Sequence, residues 1–311
     1  MRESDLLAHI FERSGSLTRR FDHVIVGPGD DTAVVRTPAG DLLLLGVDQL
    51  IESRHFKTGT PLDLIARTVV ARSLSDIAAM GGTPMWALAT GALPAGFEGG
   101  DALFDAMDRW SMHWDCPLVG GDIAATPGPL SLSVAVIGRP DPLRGPVLRS
   151  GARQGDVLYV TGTIGGGGGS GGGGVSSERH LRFEPRLAEG AWLCQVLGDR
   201  LHAMIDVSDG LGRDAGRLAL ASGVRVQIEA GRIPLTDETQ APPRAAGEGE
   251  DYELLFAACE GVEVPDSCPA TGTSVTPIGR IVEGAGCVLV GADGAQTDAG
   301  DLGWEHATEP Q

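Results

Sequence analysis

The chain has 311 residues, 42% of them hydrophobic, and a formal charge of -18 with a single lysine, Lys57. It is long enough for two domains and apolar enough for a packed core, while so acidic a balance argues against a nucleic-acid backbone or an anionic membrane as partner. No apolar run approaches the ~18 residues of a membrane span. Arg2, Glu3 and Asp5 break up any leader sequence, and five scattered cysteines (Cys116, Cys194, Cys259, Cys268, Cys287) read as free thiols, so a cytoplasmic protein is expected.

Ser4 and Asp5 predict the start of a short helix whose Leu6, Leu7, Ile10 and Phe11 share one packing face. Val24–Val26 and Thr32–Arg36 read as strands on either side of a turn, Gly27-Pro28-Gly29-Asp30-Asp31. The apolar run from Asp41 predicts a strand that delivers Asp48 at its C-terminal end. Thr60 as cap and Pro61 at the first helical position open a helix that carries Asp76 in its last turns and stops at Gly81-Gly82. A carboxylate there faces the negative end of the helix dipole, which favours a counter-ion beside it. Met85–Leu93 reads as a strand and Asp101–Trp114 as an amphipathic helix. Pro117–Gly121 reads as a buried strand leading into Asp122, and Leu130–Gly138 alternates as a strand should.

The proline- and glycine-rich stretch from Arg139 to Pro146 marks a linker, dividing the chain into residues 1–140 and 147–311. Asp156–Thr161 begins the second part as a strand. Gly165–Gly174, broken only by Ser170, predicts a mobile loop; it lacks the Gly-Lys-Ser/Thr ending of a Walker loop. A helix over Arg186–Leu201 precedes a strand, Ala203–Asp206, which runs through Val207-Ser208-Asp209-Gly210 into a helix over Leu211–Ala221. Such a turn at a helix N-terminus suits phosphate and cations, although Ser208 or Asp209 acting only as a cap is an equal reading. After the strand Val224–Glu229 and a proline-rich loop comes Gly249-Glu250-Asp251-Tyr252-Glu253, then strands at Leu254–Ala257, Ile278–Val282 and Cys287–Val290. Strands and helices alternate in both parts, which predicts α/β layers in each.

Asp31, Asp48, Asp76, Asp122, Asp206 and Asp209 lie beside Gly or Ser or at strand ends. Any one of them reads as a turn residue. Gathered together they would repel strongly unless cations stood between them, and Mg²⁺ is the ion that bridges carboxylates to phosphates. The ordered set Gly29-Asp30-Asp31-Thr32-Ala33, Val47-Asp48 with Glu52 and His55-Phe56, Leu74-Ser75-Asp76-Ile77-Ala78-Ala79-Met80-Gly81, Gly120-Gly121-Asp122, Arg149-Ser150-Gly151-Ala152, His180-Leu181-Arg182, Ile205-Asp206-Val207-Ser208-Asp209-Gly210-Leu211, Gly249-Glu250-Asp251-Tyr252-Glu253-Leu254 and Gly303-Trp304 resembles the thiamine-monophosphate kinase family of the aminoimidazole ribonucleotide synthetase superfamily.

The resemblance covers nearly the whole chain. It implies a two-domain α/β (α+β) fold, with the N-terminal sheets of two protomers closing into a barrel and a C-terminal α/β domain completing the site. The activity it implies is transfer of the γ-phosphoryl of ATP to thiamine monophosphate, with several Mg²⁺ ions, in a homodimer. It further implies metal ligands at Asp31, Val47, Asp48, Asp76, Asp122, Asp206 and Asp209, of which Asp76, Asp122 and Asp209 act with Arg149 in catalysis. ATP contacts fall on Gly121, Asp122, Arg149 and Ser208, and thiamine-phosphate contacts on His55, Glu250 and Trp304. The chemistry agrees, since phosphoryl transfer asks a protein to align two anions and neutralise the charge between them. The chain departs from the family at Gly46 and Val47, where hydroxyl residues are usual, at Ser73 in place of asparagine, and at the glycine run. Those departures leave two alternatives: a kinase for a different small phosphorylated heterocycle, or a weakly active or non-catalytic Mg-nucleotide-binding homologue.

Overall fold

The structure, a computed structural model, describes residues 3–167, 178–237 and 241–304. In chain order its first part contains α1 (Glu3–Ser14), α2 (Leu17–Arg20), β1 (Val24–Val26), β2 (Ala33–Arg36), β3 (Leu42–Ile51), α3 (Leu62–Ala79), β4 (Thr83–Pro94), α4 (Gly100–His113), β5 (Leu118–Thr126) and β6 (Ser131–Arg139). The second contains β7 (Val157–Thr161), α5 (Arg179–Arg182), α6 (Leu187–Leu197), β8 (Leu201–Asp206), α7 (Leu211–Ser222), β9 (Arg225–Glu229), α8 (Pro242–Gly247), β10 (Leu254–Ala258), β11 (Val275–Val282), β12 (Gly286–Val290) and β13 (Gln296–Asp298).

Among the described residues the strands form two sheets, ordered β1-β2-β3-β6-β4-β5 and β13-β12-β9-β11-β7-β10-β8. Neighbours are antiparallel except β4 with β5 and β9 with β12. The fold is therefore a mixed α/β one with two layered parts. No helix among the described residues is long and apolar enough to cross a membrane. The five cysteines are free, and all but Cys259 are buried.

α3 is the element both parts share. It packs on β3, β6 and α4 on one side and on α5, α6 and β8 on the other. That explains why it is apolar nearly all round, with Leu64, Ile65, Val69, Val70, Leu74 and Ile77 buried. Each such side chain contributes about 1.5–3 kcal/mol of burial. α6 comes so close that a Cβ on Gly190 would lie 2.4 Å from the Ala78 carbonyl oxygen, so glycine is required there.

Several expectations need correction. β3 does not stop at Asp48 but runs on to Ile51, pairing with β6 along its length. Its even residues Leu44, Gly46, Asp48 and Leu50 face α3, and its odd residues Leu45, Val47 and Gln49 face outward. β5 likewise continues past Gly121 through Asp122 to Thr126, as an exposed edge strand rather than a buried one. A continuous apolar run looks the same whether partners cover it within the chain or not. α3 starts after Pro61 without a side-chain cap from Thr60. The helix expected to reach Leu201 ends at Leu197, because β8 starts at Leu201. α1 forms as expected, yet Leu6, Ile10 and Phe11 stay 37–40% exposed. Most of the glycine run, Gly168–Gly174, lies outside the described residues. Its first residues dock instead on the acidic motif before β10, where Gly165 N donates to Asp251 (3.0 Å) and Gly166 N to Glu248 (2.8 Å).

Candidate active site: an acidic centre where the two sheets meet

Three separate segments deliver carboxylates to one place. In the β1–β2 turn Gly29 adopts φ +126°, which only glycine takes readily. The following Asp31 N donates to Asp30 Oδ1 (3.1 Å) and Asp31 itself is buried. α3 brings Asp76 on the face that meets β3, and β8 ends in Asp206. Carboxylate oxygens of Asp31, Asp76 and Asp206 all lie within 4.8 Å of one another. Ser75 Oγ donates to Asp206 Oδ2 (2.6 Å), tying α3 to β8 at this point. A Cβ on Gly46 would sit 3.4 Å from Asp76 Oδ2, so the missing side chain leaves room beside that carboxylate.

Electrostatics mark the same centre. Burial, then the charges of Asp48, Asp206 and Asp31, hold the Asp76 carboxyl well above the ordinary range, against a lowering by Arg149. Asp206 is raised for the same kinds of reason, burial first and Asp31 next. Asp48 is raised by burial and by Asp209, and lowered by Arg72. The protein meets these charges with few cations of its own. Arg149 Nη2 donates to Asp31 Oδ1 (2.7 Å), while Arg149 N donates to both Asp30 carboxylate oxygens (3.2 Å each). Burial, then Asp31, pushes Asp30 up to about 6. Asp31 Oδ2 is buried without a hydrogen-bond partner. An all-oxygen, under-neutralised donor set with an orphaned buried oxygen fits a hard divalent cation.

The rim is built from the turn after β8. Asp214 accepts from Ser208 N (3.0 Å) and Asp209 N (2.9 Å), and so clamps that turn onto the start of α7. Arg217 holds Asp209 (2.6 Å) and Asp214 (2.7 Å) together. Glu250 N donates to Ser208 O (2.7 Å) and Trp304 N to Asp209 O (2.8 Å), which brings Ser208, Asp209, Glu250 and Trp304 to one rim. Glu250 and Tyr252 both take positive φ, +66° and +52°, a strained conformation kept where the surroundings over-determine it. Burial pushes Glu250 up to about 7, with Arg72 opposing. His55 is buried after β3, and its Nδ1 accepts from Ile51 N (2.9 Å), which leaves Nε2 as the protonated nitrogen of a neutral ring.

Two of the sequence-derived positions stand elsewhere. Val47 turns its side chain to the outer face of the sheet at 65% exposure, so only its backbone remains on offer to a metal. Asp122 lies on β5, three strands from β3, roughly 14 Å at the usual strand spacing. There it lines a cavity of about 500 Å³ with Ala89, Phe104, Asp108, Gly120 and Gly121. Gly121 has to be glycine, since a Cβ would fall 1.8 Å from Ala89 O.

Sequence reasoning missed Arg72, Ser75, Asp214 and Arg217. A signal existed for some of them. Arg72 is four residues before Asp76 on one helix, hence on its face, and Asp214 and Arg217 follow Asp209 within the first turns of α7.

Residues 29–139 match the family described as "AIR synthase related protein, N-terminal domain", and residues 153–291 match its C-terminal domain. The thiamine-monophosphate kinase of Rhodopirellula baltica is 33% identical over 299 residues, covering 90% of this chain and 89% of that one. That of Escherichia coli K12 is 35% identical over 284 residues, 83% of each chain. The solved structure of AaThiL complexed with AMPPCP and TMP superposes with a TM-score of 0.79 at 28% identity, covering 99% of both chains.

Proposed function

The chain belongs to the AIR synthase related family, and from that membership we propose that it is an ATP- and Mg²⁺-dependent kinase that phosphorylates thiamine monophosphate to thiamine diphosphate. The observation that carries the reading is the convergence of Asp31, Asp76 and Asp206 within 4.8 Å beside Arg149, on a rim formed by Ser208, Asp209, Glu250 and Trp304. Asp31, Asp48, Asp76, Asp206 and Asp209 would hold Mg²⁺. Bound there, the ions would neutralise the negative charge between donor and acceptor.

The chain's own groups do the rest. Arg149 supplies fixed positive charge at the phosphates, and the Ser208 backbone at the start of α7 suits an anion. Glu250, His55 and Trp304 receive the acceptor, Trp304 through its ring face and Glu250 through its carboxylate. Direct in-line transfer between the two substrates needs no covalent intermediate, so no nucleophile is assigned. ATP contacts fall to Gly121, Asp122, Arg149 and Ser208.

The reading includes a cytoplasmic homodimer with domains at 1–140 and 147–311. Its support is the outer face of the first sheet, where Leu45, Val47, Trp86 and Leu88 are exposed in register around β6, and the exposed apolar edge strand β5.

The test is incubation with ATP, Mg²⁺ and thiamine monophosphate. Thiamine diphosphate is expected, with a large loss in Asp209→Ala. A pure protein that binds ATP yet forms no diphosphate would leave a nucleotide-binding homologue; ADP released only with another acceptor would move the substrate.

A further inference from the structure

Arg72 stands between the two ends of the site. From α3 it reaches Asp48 on β3 (Nε to Oδ2, 3.8 Å) and Glu250 before β10 (Nη1 to Oε1, 3.3 Å), and its side chain is only 13% exposed. These contacts are loose for charged partners, whose hydrogen bonds run at about 2.7–2.9 Å. Other arginines nearby are held firmly: Arg149 to Asp31 at 2.7 Å, Arg217 to Asp209 at 2.6 Å and Arg186 to Glu253 at 2.6 Å. A guanidinium has five N–H donors, and Arg72 Nε is buried without a hydrogen-bond acceptor.

Beneath it lies a second idle donor. The Arg72 guanidinium sits 5.6 Å over the ring of Tyr252, which is 1% exposed and braced by Phe183 stacked 3.8 Å away. The Tyr252 hydroxyl is buried without a partner. Besides burial, the charges acting on it are those of Arg72, Glu250, Asp48 and Asp206, while its ring packs in the apolar core beside Phe183. An unpaired buried hydroxyl next to an under-used guanidinium is costly unless an acceptor comes to both.

We propose that Arg72 and Tyr252 hold the phosphate of the acceptor molecule. The inference rests on the kinase reading above. The acceptor's phosphate must lie between the metal-holding carboxylates, which face ATP, and Glu250, which faces the organic ring. Arg72 spans that interval, from Asp48 to Glu250. A phosphate monoester supplies the oxygens both donors lack, and Asp48, which would hold Mg²⁺, would then compete less for the guanidinium. Arg72 thereby selects for a phosphorylated acceptor over the free alcohol.

The test uses the full chain with Mg²⁺, comparing wild type with Arg72→Met, Arg72→Lys and Tyr252→Phe. Steady-state KM and kcat for thiamine monophosphate are measured beside the inhibition constant of unphosphorylated thiamine, with thermal unfolding as a check on folding. Tyr252→Phe removes a hydroxyl that bonds nothing in the free protein, so its fold is expected to persist. The expected result is a rise in KM for the monophosphate of roughly 10- to 100-fold in Arg72→Met and less in Tyr252→Phe, with thiamine inhibition unchanged and partial recovery in Arg72→Lys. Equal weakening of thiamine and its monophosphate would overturn the inference, reducing Arg72 to a brace for Glu250, as would variants with wild-type KM. A wild type that makes no diphosphate at all would overturn the kinase reading itself.

Discussion

Replacing Asp76 by Asn should make the metal-free protein more stable while destroying its activity. Two unit charges 4.8 Å apart repel by about 3.5 kcal/mol at an effective dielectric of about 20. Asp76 faces two such neighbours, Asp31 and Asp206. Not all of that repulsion is present, because the raised Asp76 and Asp206 carboxyls relieve part of it by binding protons. At pH 8 in chelator the remaining gain from an isosteric amide should be about 1–2 kcal/mol, or about 1.5–3 °C in Tm. In saturating Mg²⁺ and ATP the order should reverse, since ligand at ~100 times its Kd adds about 2.7 kcal/mol to the wild type and less to the variant. The assay is thermal unfolding of both proteins in chelator and in Mg²⁺ with ATP, with diphosphate formation measured alongside. An Asn variant less stable than wild type in chelator, or a wild type indifferent to Mg²⁺, would show that these carboxylates are not held together against their repulsion for an ion.

Removal of Mg²⁺ should also give stability a particular pH dependence. Burial raises Asp30 and Asp214 from 3.8 to about 6 and Glu250 from 4.5 to about 7, so the folded state binds more protons than the unfolded one across that interval. Stability in chelator should therefore fall as pH rises from about 4 to 7, read by urea midpoints, and a rise would contradict it. Gly190→Ala should destabilise by about 1–3 kcal/mol in chemical denaturation, because its Cβ would meet the Ala78 carbonyl at 2.4 Å. Leu88→Glu, on the exposed outer face of the first sheet, should yield monomers in sedimentation and lower activity, and an unchanged mass would remove that face as the interface.

What the sequence could disclose about the site follows from the range of each interaction. Glycine–aspartate turns and a helix ending in Gly81-Gly82 are local, so Asp31, Asp76, Asp206 and Asp209 could be assigned to turns and element ends from neighbours in the chain. The inward or outward choice along β3 is a matter of period two, and its continuation to Ile51 places Asp48 inside and Val47 outside. Stopping the strand at Asp48 hid that distinction. The separation of Asp122 from the centre depends on the strand order β3-β6-β4-β5, which no local pattern specifies. The same holds for β5, whose apolar residues look like core until the order puts them at an edge.

Arg72 is the strongest case. On its own helix it reads as one more polar residue in an apolar stretch. Its meaning comes only from Asp48, 24 positions before it, and Glu250, on the far side of the chain. α3 is packed on both sheets, so a side chain leaving it near Asp76 can reach partners from either part. A buried cation with two distant, loosely held carboxylates is a property of that junction, and only the folded chain displays it.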